Sequence, residues 1–400
     1  MSSESKKLRV LYFCSKLPVP VRNGIDLRVK GQISVLLEFS EVSVFALFGN
    51  QERFDPRISS WRSSKDDTVS RSPDSKALIR SISKGHHPFE ARYSTETWLE
   101  LRNEIRRFRP DYIVVSRNEL SAYLEDILTY FDSNLIWDLD ESAASMCSTI
   151  PQLFTSRHQA VVFKAFWNRV LEIERALIGR VSQVWMSSSI EREKVLSQSA
   201  GEVHLPRKIS VVPHAVAVES YFPISGTKRE KERIVYPASF VHEPALDAAR
   251  FLINELMPLI PEVHLTIVGS FIPRWLREST SEHISVVGPV ASINDYLHKA
   301  GALAVPLRAG GGTRLKVIEA LAAGLPIVST AFGVEGLGLL PNQDYLEAES
   351  APDFAEKCRQ LFSNDELSAQ LSGRGQDTAS RRFSTRELEM TIRQLLSVRQ

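Results

Sequence analysis

Arg314, Lys316 and Glu319 lie within six residues of one another in the run 301–338, GALAVPLRAGGGTRLKVIEALAAGLPIVSTAFGVEGLG, and their types and spacing suit chemistry on a phosphate. They follow Gly310, Gly311 and Gly312, where backbone can turn sharply or come close to a ligand. A glycine loop that opens a helix between parallel strands presents N–H groups to an anion. Cations in a first helical turn oppose the helix dipole unless an anion sits nearby. An ordinary strand-to-helix turn with two solvated basic residues is the simpler alternative. Leu315, Ile318, Glu319 and Ala322 fall at i, i+3, i+4 and i+7, which sets Glu319 beside the inward stripe. A carboxylate there is costly to bury unless it accepts hydrogen bonds. Ribose hydroxyls would supply them; an internal pair with Lys316 is the other possibility.

The elements that must position these residues can be read outward from the loop. Ala302–Arg308 is an apolar run of strand length, Thr313 suits an N-cap, and Arg314–Ala323 has helical composition. Gly324 ends that helix, and Leu325–Thr330 resumes as a strand. In the first half, Arg9–Cys14, Val42–Phe48, Tyr112–Ser116, Leu135–Trp137 and Gln183–Ser187 read as buried strands. Helices at about Asp26–Phe39, Thr95–Phe108 and Arg157–Gly179 alternate with them, the pattern of a doubly wound parallel sheet. Residues 50–90 are serine-rich and aperiodic and read as an irregular insertion. After Pro223 the charged stretch 224–232 reads as a linker. The alternation then repeats: strand 233–237, helix 244–257, strand 263–268, strand 284–287, helix 292–299. The expected organisation is therefore domain 1–223, linker 224–232, domain 233–384 and a final helix within 385–400. Two open sheets of this kind hold ligands beyond their strand C-termini, so a cleft between domains is the expected site.

Composition narrows the function class. A chain of 400 residues with 43% hydrophobic content and net charge +1 can build two cores, and suits neither disorder nor nucleic-acid binding. Its three cysteines, Cys14, Cys147 and Cys358, are far apart and offer no metal spacing, which favours a reducing cytoplasm. Met1–Arg9 is polar and unlike a signal peptide, and no apolar run reaches the length of a membrane span.

The segment PLRAGGGTRLKVIEALAAGLPIVST resembles the nucleotide-sugar site of retaining glycosyltransferases of family 4, with its G-x-G-T-R-x-K loop, E-A-x-A-x-G helix and P-[IV]-V-[SA]-T strand. Ser15–Arg28 is similar to the family's first loop, P-x-x-x-G-x-x-x-R. Val211–Pro223 resembles its V-P-N-G-V-D…F-x-P crossing, with His214 and Ala215 replacing Asn-Gly. Tyr236–Phe251, Leu265–Gly269 and Val286–Val290 resemble further segments, so the likeness runs from residue 9 to about 385. It implies a GT-B fold: α/β, with two doubly wound Rossmann-like domains facing each other across a cleft, the last helix crossing back onto the first.

The resemblance also implies a reaction. A sugar would pass with retention from a nucleotide-sugar donor to a glycan or lipid-linked acceptor, as in cell-surface polysaccharide or glycoconjugate synthesis. The donor is a co-substrate, and neither cofactor nor metal is implied. Gly311, Gly312 and Thr313 would offer N–H groups, Arg314 and Lys316 charge, and Glu319 a partner for the ribose. Backbone at Val287, Gly288 and Val290 would face the base, and Gly24 would approach the phosphates. The chain departs from the E-x7-E form, because Gly311 stands where many members carry the first Glu, and SFVHEPALDA lacks the Arg and Lys expected after the first strand of the second domain. His242 could reach the phosphates or be an ordinary loop histidine. Asp138 and Asp140 spell D-x-D, a metal-binding pattern elsewhere; in this family the stretch lies on the acceptor side, and so these two residues are acceptor-side or structural candidates. The basic helix 98–109 and the mixture of Phe163, Phe166 and Trp167 with Lys164 and Arg169 suit an anionic membrane surface, at the inner face of the membrane. The His86-His87 pair could gate an acceptor entrance. A nucleotide-sugar isomerase of the 2-epimerase type and a non-catalytic nucleotide-sugar binder are the alternatives.

Overall fold

The computed structural model describes residues 7–16, 24–49, 55–65, 87–131, 134–198, 204–222, 228–312 and 314–397. The chain divides into two compact units. One comprises Met1–Pro151, Ser156–Pro213 and Leu388–Gln400, the other Gln152–Thr155 and His214–Glu387.

The first unit is built on seven parallel strands: β1 (Leu8–Lys16), β2 (Ser40–Phe48), β3 (Ser60–Ser63), β4 (Tyr112–Ser116), β5 (Leu135–Asp140), β6 (Gln183–Met186) and β7 (Ile209–Val211), in spatial order 3-2-1-4-5-6-7. The strands are apolar almost throughout because both faces are covered; Val10, Leu11, Tyr12 and Phe13 of β1 are all fully buried. Helices α1 (Gly24–Leu37), α2 (Thr95–Phe108), α3 (Ala143–Thr149), α4 (Arg157–Ile178) and α5 (Ser189–Gln198) connect them. The five strands expected from the sequence are present. Two short edge strands were not expected: β3, inside the stretch read as an irregular insertion, and β7. At four and three residues they are too short to show a period. β5 also runs to Asp140, past the expected end at Trp137.

The second unit carries six parallel strands: β8 (Glu230–Ser239), β9 (His264–Ser270), β10 (Ile284–Val287), β11 (Ala300–Val305), β12 (Ile327–Ser329) and β13 (Leu346–Glu347), in order 10-9-8-11-12-13. Its helices include α6 (Glu243–Phe251), α7 (Asn294–Lys299), α8 (Leu315–Ala322) and α9 (Asp365–Arg382). The strand–loop–helix–strand unit expected around the glycines is β11, loop, α8, β12. The N-cap expectation is corrected. Arg314 occupies the cap position, with φ −78° and ψ 71° and no side-chain cap, while Thr313 lies outside the described residues. Gly324 closes α8 at φ +61°, where a side chain would be strained and its Cβ would meet Gln376 at 3.0 Å.

The last helix, α10 (Thr385–Ser397), buries Leu388, Ile392 and Leu396 on one face. From Leu388 onward it belongs to the first unit. There Tyr112 Oη donates to Leu396 O (3.1 Å), Gln183 Nε2 to Leu395 O (3.1 Å), and the Arg393 guanidinium lies 4.3 Å from the Phe39 ring centre.

Candidate functional site

All strands of the second sheet run parallel, so the loops after β8, β9, β10 and β11 emerge at one edge. The glycine loop after β11 holds two backbone conformations that favour glycine, Gly310 at φ +126° and Gly312 at φ +72°. Arg314 is nearly buried and folds back on this loop. Its Nη1 donates to Gly311 O (2.8 Å) and Gly312 O (3.1 Å), and its guanidinium stacks 4.8 Å from the Phe332 ring centre. Both carbonyls are thereby engaged, and the positive charge stays at the loop.

Lys316 and Glu319 follow on α8. Lys316 Nζ sits 4.2 Å from the ring centre of Tyr236, a fully buried residue of β8. Burial, reinforced by the Arg314 charge, lowers this ammonium to about 7, against the pull of Glu319. Burial likewise pushes the Glu319 carboxyl up to about 7, opposed by the Tyr221 hydroxyl and the Lys316 charge. Tyr221 Oη donates to Glu319 Oε1 at 2.8 Å. One cation and one carboxyl thus stand close to neutrality behind a glycine loop. An anion would restore the charge of the first, and hydroxyl donors the charge of the second. A ligand carrying phosphate and vicinal hydroxyls meets both needs.

The remaining sequence candidates fall in separate places. Val287 ends β10, and exposed backbone follows at Gly288 on the same edge of the sheet; a Cβ on Gly288 would meet Ile272 Cδ1 at 3.0 Å. Val290 is half-buried. Gly24 opens α1 in the first unit. His242 precedes α6 at its cap position and is exposed. His86 lies outside the described residues. His87 is largely sheltered: its Nδ1 accepts from Phe89 N (3.1 Å), its Nε2 lies 3.4 Å from Ser121 Oγ, and burial lowers the imidazole to about 4.

Asp138 and Asp140 are engaged by arginines at the end of β5. Asp138 is fully buried and grips Arg28, with Nη2–Oδ1 at 2.6 Å and Nε–Oδ2 at 3.0 Å; Arg28 Nη1 also donates to Val212 O (2.9 Å). Asp140, at φ +66°, accepts from Arg117 Nη1 at 3.0 Å, and Arg117 Nη2 reaches Glu141 at 3.0 Å. A bulge in the β5–β6 pairing separates the two aspartates.

Sequence reasoning missed Tyr221, Tyr236 and Arg117. For Tyr221 a signal existed. It stands at the Phe of the F-x-P pattern, and the added hydroxyl marks it. For Tyr236 and Arg117 no local signal distinguishes them from core and surface residues.

Residues 231–364 match the family described as glycosyl transferases group 1. This segment runs from β8 to just past the helix after β13 and contains the glycine loop and α8. Sucrose-phosphate synthase from Thermosynechococcus elongatus superposes with a TM-score of 0.72 at 15% identity, over 98% of each chain. Anabaena HepE in complex with UDP and glucose does so at 0.70 and 12%, over 98% of this chain and 100% of that one. The chain has the GT-B fold. A variant of S. aureus TarM in complex with fondaparinux, α-GlcNAc-glycerol and UDP shares this GT-B architecture at TM-score 0.65 and 10% identity, over 97% of this chain and 99% of that one. No curated protein matches the chain. In GT-B terms, the second unit is the Rossmann-like domain that bears the group 1 segment, and Arg314, Lys316 and Glu319 lie at its strand C-termini.

Proposed function

We propose that the protein is a retaining, metal-independent glycosyltransferase of family 4. It moves a hexosyl unit from a nucleotide sugar to a glycan or lipid-linked acceptor in cell-surface polysaccharide or glycoconjugate synthesis. The observation that carries this reading is the pair of buried ionisable groups on α8 after the glycine loop of the group 1 segment: Glu319, bonded by Tyr221, and Lys316, set against the Tyr236 ring. Negative charge grows on the diphosphate as the glycosidic bond breaks. Cations and backbone N–H groups already in place lower that barrier without reorganising. Gly311, Gly312 and Thr313 supply N–H groups, Lys316 and Arg314 the charge, Glu319 the ribose contact, and backbone at Val287, Gly288 and Val290 the base contact. The UDP and glucose bound by Anabaena HepE, and the UDP and glycans bound by TarM, support a donor and acceptor of these classes.

The acceptor belongs to the first unit, whose floor is the Arg28–Asp138 and Arg117–Asp140 network. On α4, Val161 is exposed and Phe163, Phe166 and Trp167 are half-exposed beside Lys164 and Arg169, which suits contact with an anionic cytoplasmic membrane face. Among the described residues no helix is long and apolar enough to cross a membrane.

The test is a thermal-shift screen with UDP, GDP, ADP and their common sugars. A ligand at about 100 times its Kd should stabilise by about 2.7 kcal/mol. A shift with one nucleotide, followed by product formation with acceptor, supports transfer. No shift with any nucleotide overturns it. Epimer formation without acceptor would establish an isomerase, and binding without turnover a non-catalytic binder.

A further inference from the structure

Tyr221 closes a short 3-10 turn, Val218–Tyr221, and the turn is anchored at several points. Asn294 Nδ2 donates to Ser220 O at 2.6 Å, and His298 Nε2 lies 2.8 Å from Tyr221 O. Both residues belong to α7. Just upstream, Val216 N donates to Phe383 O at 2.8 Å. The Tyr221 ring is nearly buried, and its hydroxyl is aimed at Glu319 Oε1. A phenylalanine would fill the same space. The hydroxyl therefore adds one thing, a bond from an anchored turn to the carboxyl of α8.

We propose that Tyr221 is a positioning residue of the donor site: its O–H holds Glu319 Oε1 in a fixed orientation and leaves Oε2 to accept the hydroxyls of the nucleoside sugar. This rests on the donor-site reading above. A hydrogen bond to a carboxylate favours the charged form, so the same contact opposes the protonation that burial promotes. Among the described residues, few groups face Glu319. Lys316, on its own helix, favours the charged form, with Arg314 beyond Lys316. His298 acts only behind Tyr221, through its carbonyl. On α9, which packs against α8, Arg374 pairs with Asp344, and Arg382 donates to the carbonyls of Leu337 and Gly338. Lys316 acts on Glu319 through its charge, and Tyr221 through a hydrogen bond that also fixes the carboxyl's direction.

The experiment compares wild type, Tyr221→Phe and Glu319→Gln. Calorimetric titrations with UDP, GDP and ADP run from about pH 6 to about pH 9, and the Glu319 carboxyl is titrated by 13C NMR in labelled protein. Tyr221→Phe should raise the Glu319 midpoint by roughly one pH unit and weaken nucleotide binding about fivefold near neutrality, approaching about tenfold toward pH 6. The difference from wild type should narrow toward about pH 9, where the carboxyl is ionised in both and only the lost orientation of Glu319 remains. Lys316 feels the Glu319 charge, so the binding difference reads the coupled pair and the 13C midpoint reads Glu319 itself. Binding by Glu319→Gln should lose the acid limb. Equal weakening of Tyr221→Phe at every pH would show a merely structural hydroxyl and overturn the proposal, as would an unmoved Glu319 midpoint. If wild type binds none of the three nucleotides, the donor reading fails, and the NMR midpoint still decides whether Tyr221 acts on Glu319.

Discussion

Lys316 and Glu319 show how a fold sets the charge of a site before any ligand arrives. Both have midpoints near 7, one lowered from the ammonium range and one raised from the carboxyl range, with burial as the main cause. A diphosphate should return Lys316 to its cationic form, and ribose hydroxyls should return Glu319 to its anionic form. Nucleotide binding should therefore take up protons at about pH 8 and release them at about pH 6. Calorimetry in buffers of different ionisation enthalpy reads this directly, and a net proton change of one sign throughout would refute it. Glu319→Ala should weaken nucleotide binding and abolish transfer while leaving the melting temperature close to wild type; unchanged binding would remove the ribose role. Lys316→Ala should lower kcat more than it raises KM, because its charge matters most as the phosphate leaves. Steady-state kinetics with equal kcat would exclude that role.

At the scale of elements, the first unit stores several charges inside its sheet–helix layers. The Arg28–Asp138 pair joins α1 to the end of β5, with both side chains almost wholly buried. Removing one partner leaves an uncompensated buried charge, so Arg28→Ala should cost about 3–5 kcal/mol in chemical denaturation. Glu174, on α4, is a different case. Its Oε1 accepts from Asn118 Nδ2 (2.7 Å) and from Ala143 N (2.8 Å) at the start of α3. Burial pushes its carboxyl up to about 8, and the nearby Glu191 and Glu141 add to the rise. A folded midpoint above the unfolded one means that the native state holds the extra proton. The stability this gives is complete below the ordinary carboxyl range and is lost as pH rises through about 8. Wild type should therefore lose stability between pH 5 and pH 9, with a limiting slope of about 1.4 kcal/mol per pH unit. Glu174→Gln keeps the acceptor oxygen and should flatten that loss. Denaturation curves with the same pH dependence in both proteins would contradict this.

At the scale of the whole molecule, the first unit is completed by the last residues of the chain. Leu388, Ile392 and Leu396 of α10 are buried there, four residues apart on one helical face. Each buried aliphatic side chain is worth roughly 1.5–3 kcal/mol. A chain ending at Ser384 should therefore lower the first melting transition by many degrees and expose 7–213 to limited proteolysis. A truncated protein that melts as wild type would show that α10 contributes nothing there.

The sequence alone determined what rests on local pattern. Apolar runs separated by helical periods gave the two parallel sheets, and glycines followed by Arg314, Lys316 and Glu319 marked the loop and α8, because backbone freedom and helical spacing are properties of neighbours in the chain. β3 and β7 escaped because three or four residues carry no period. Tertiary structure decided what depends on distant residues meeting. Arg28 reaches Asp138 across 110 positions, Tyr221 reaches Glu319 across 98, and the carbonyl of Leu396 reaches Tyr112 across 284. The midpoints of Lys316, Glu319 and Glu174 belong to the same class. They are set by desolvation and by the field of neighbouring charges, and both exist only once the chain has closed around them.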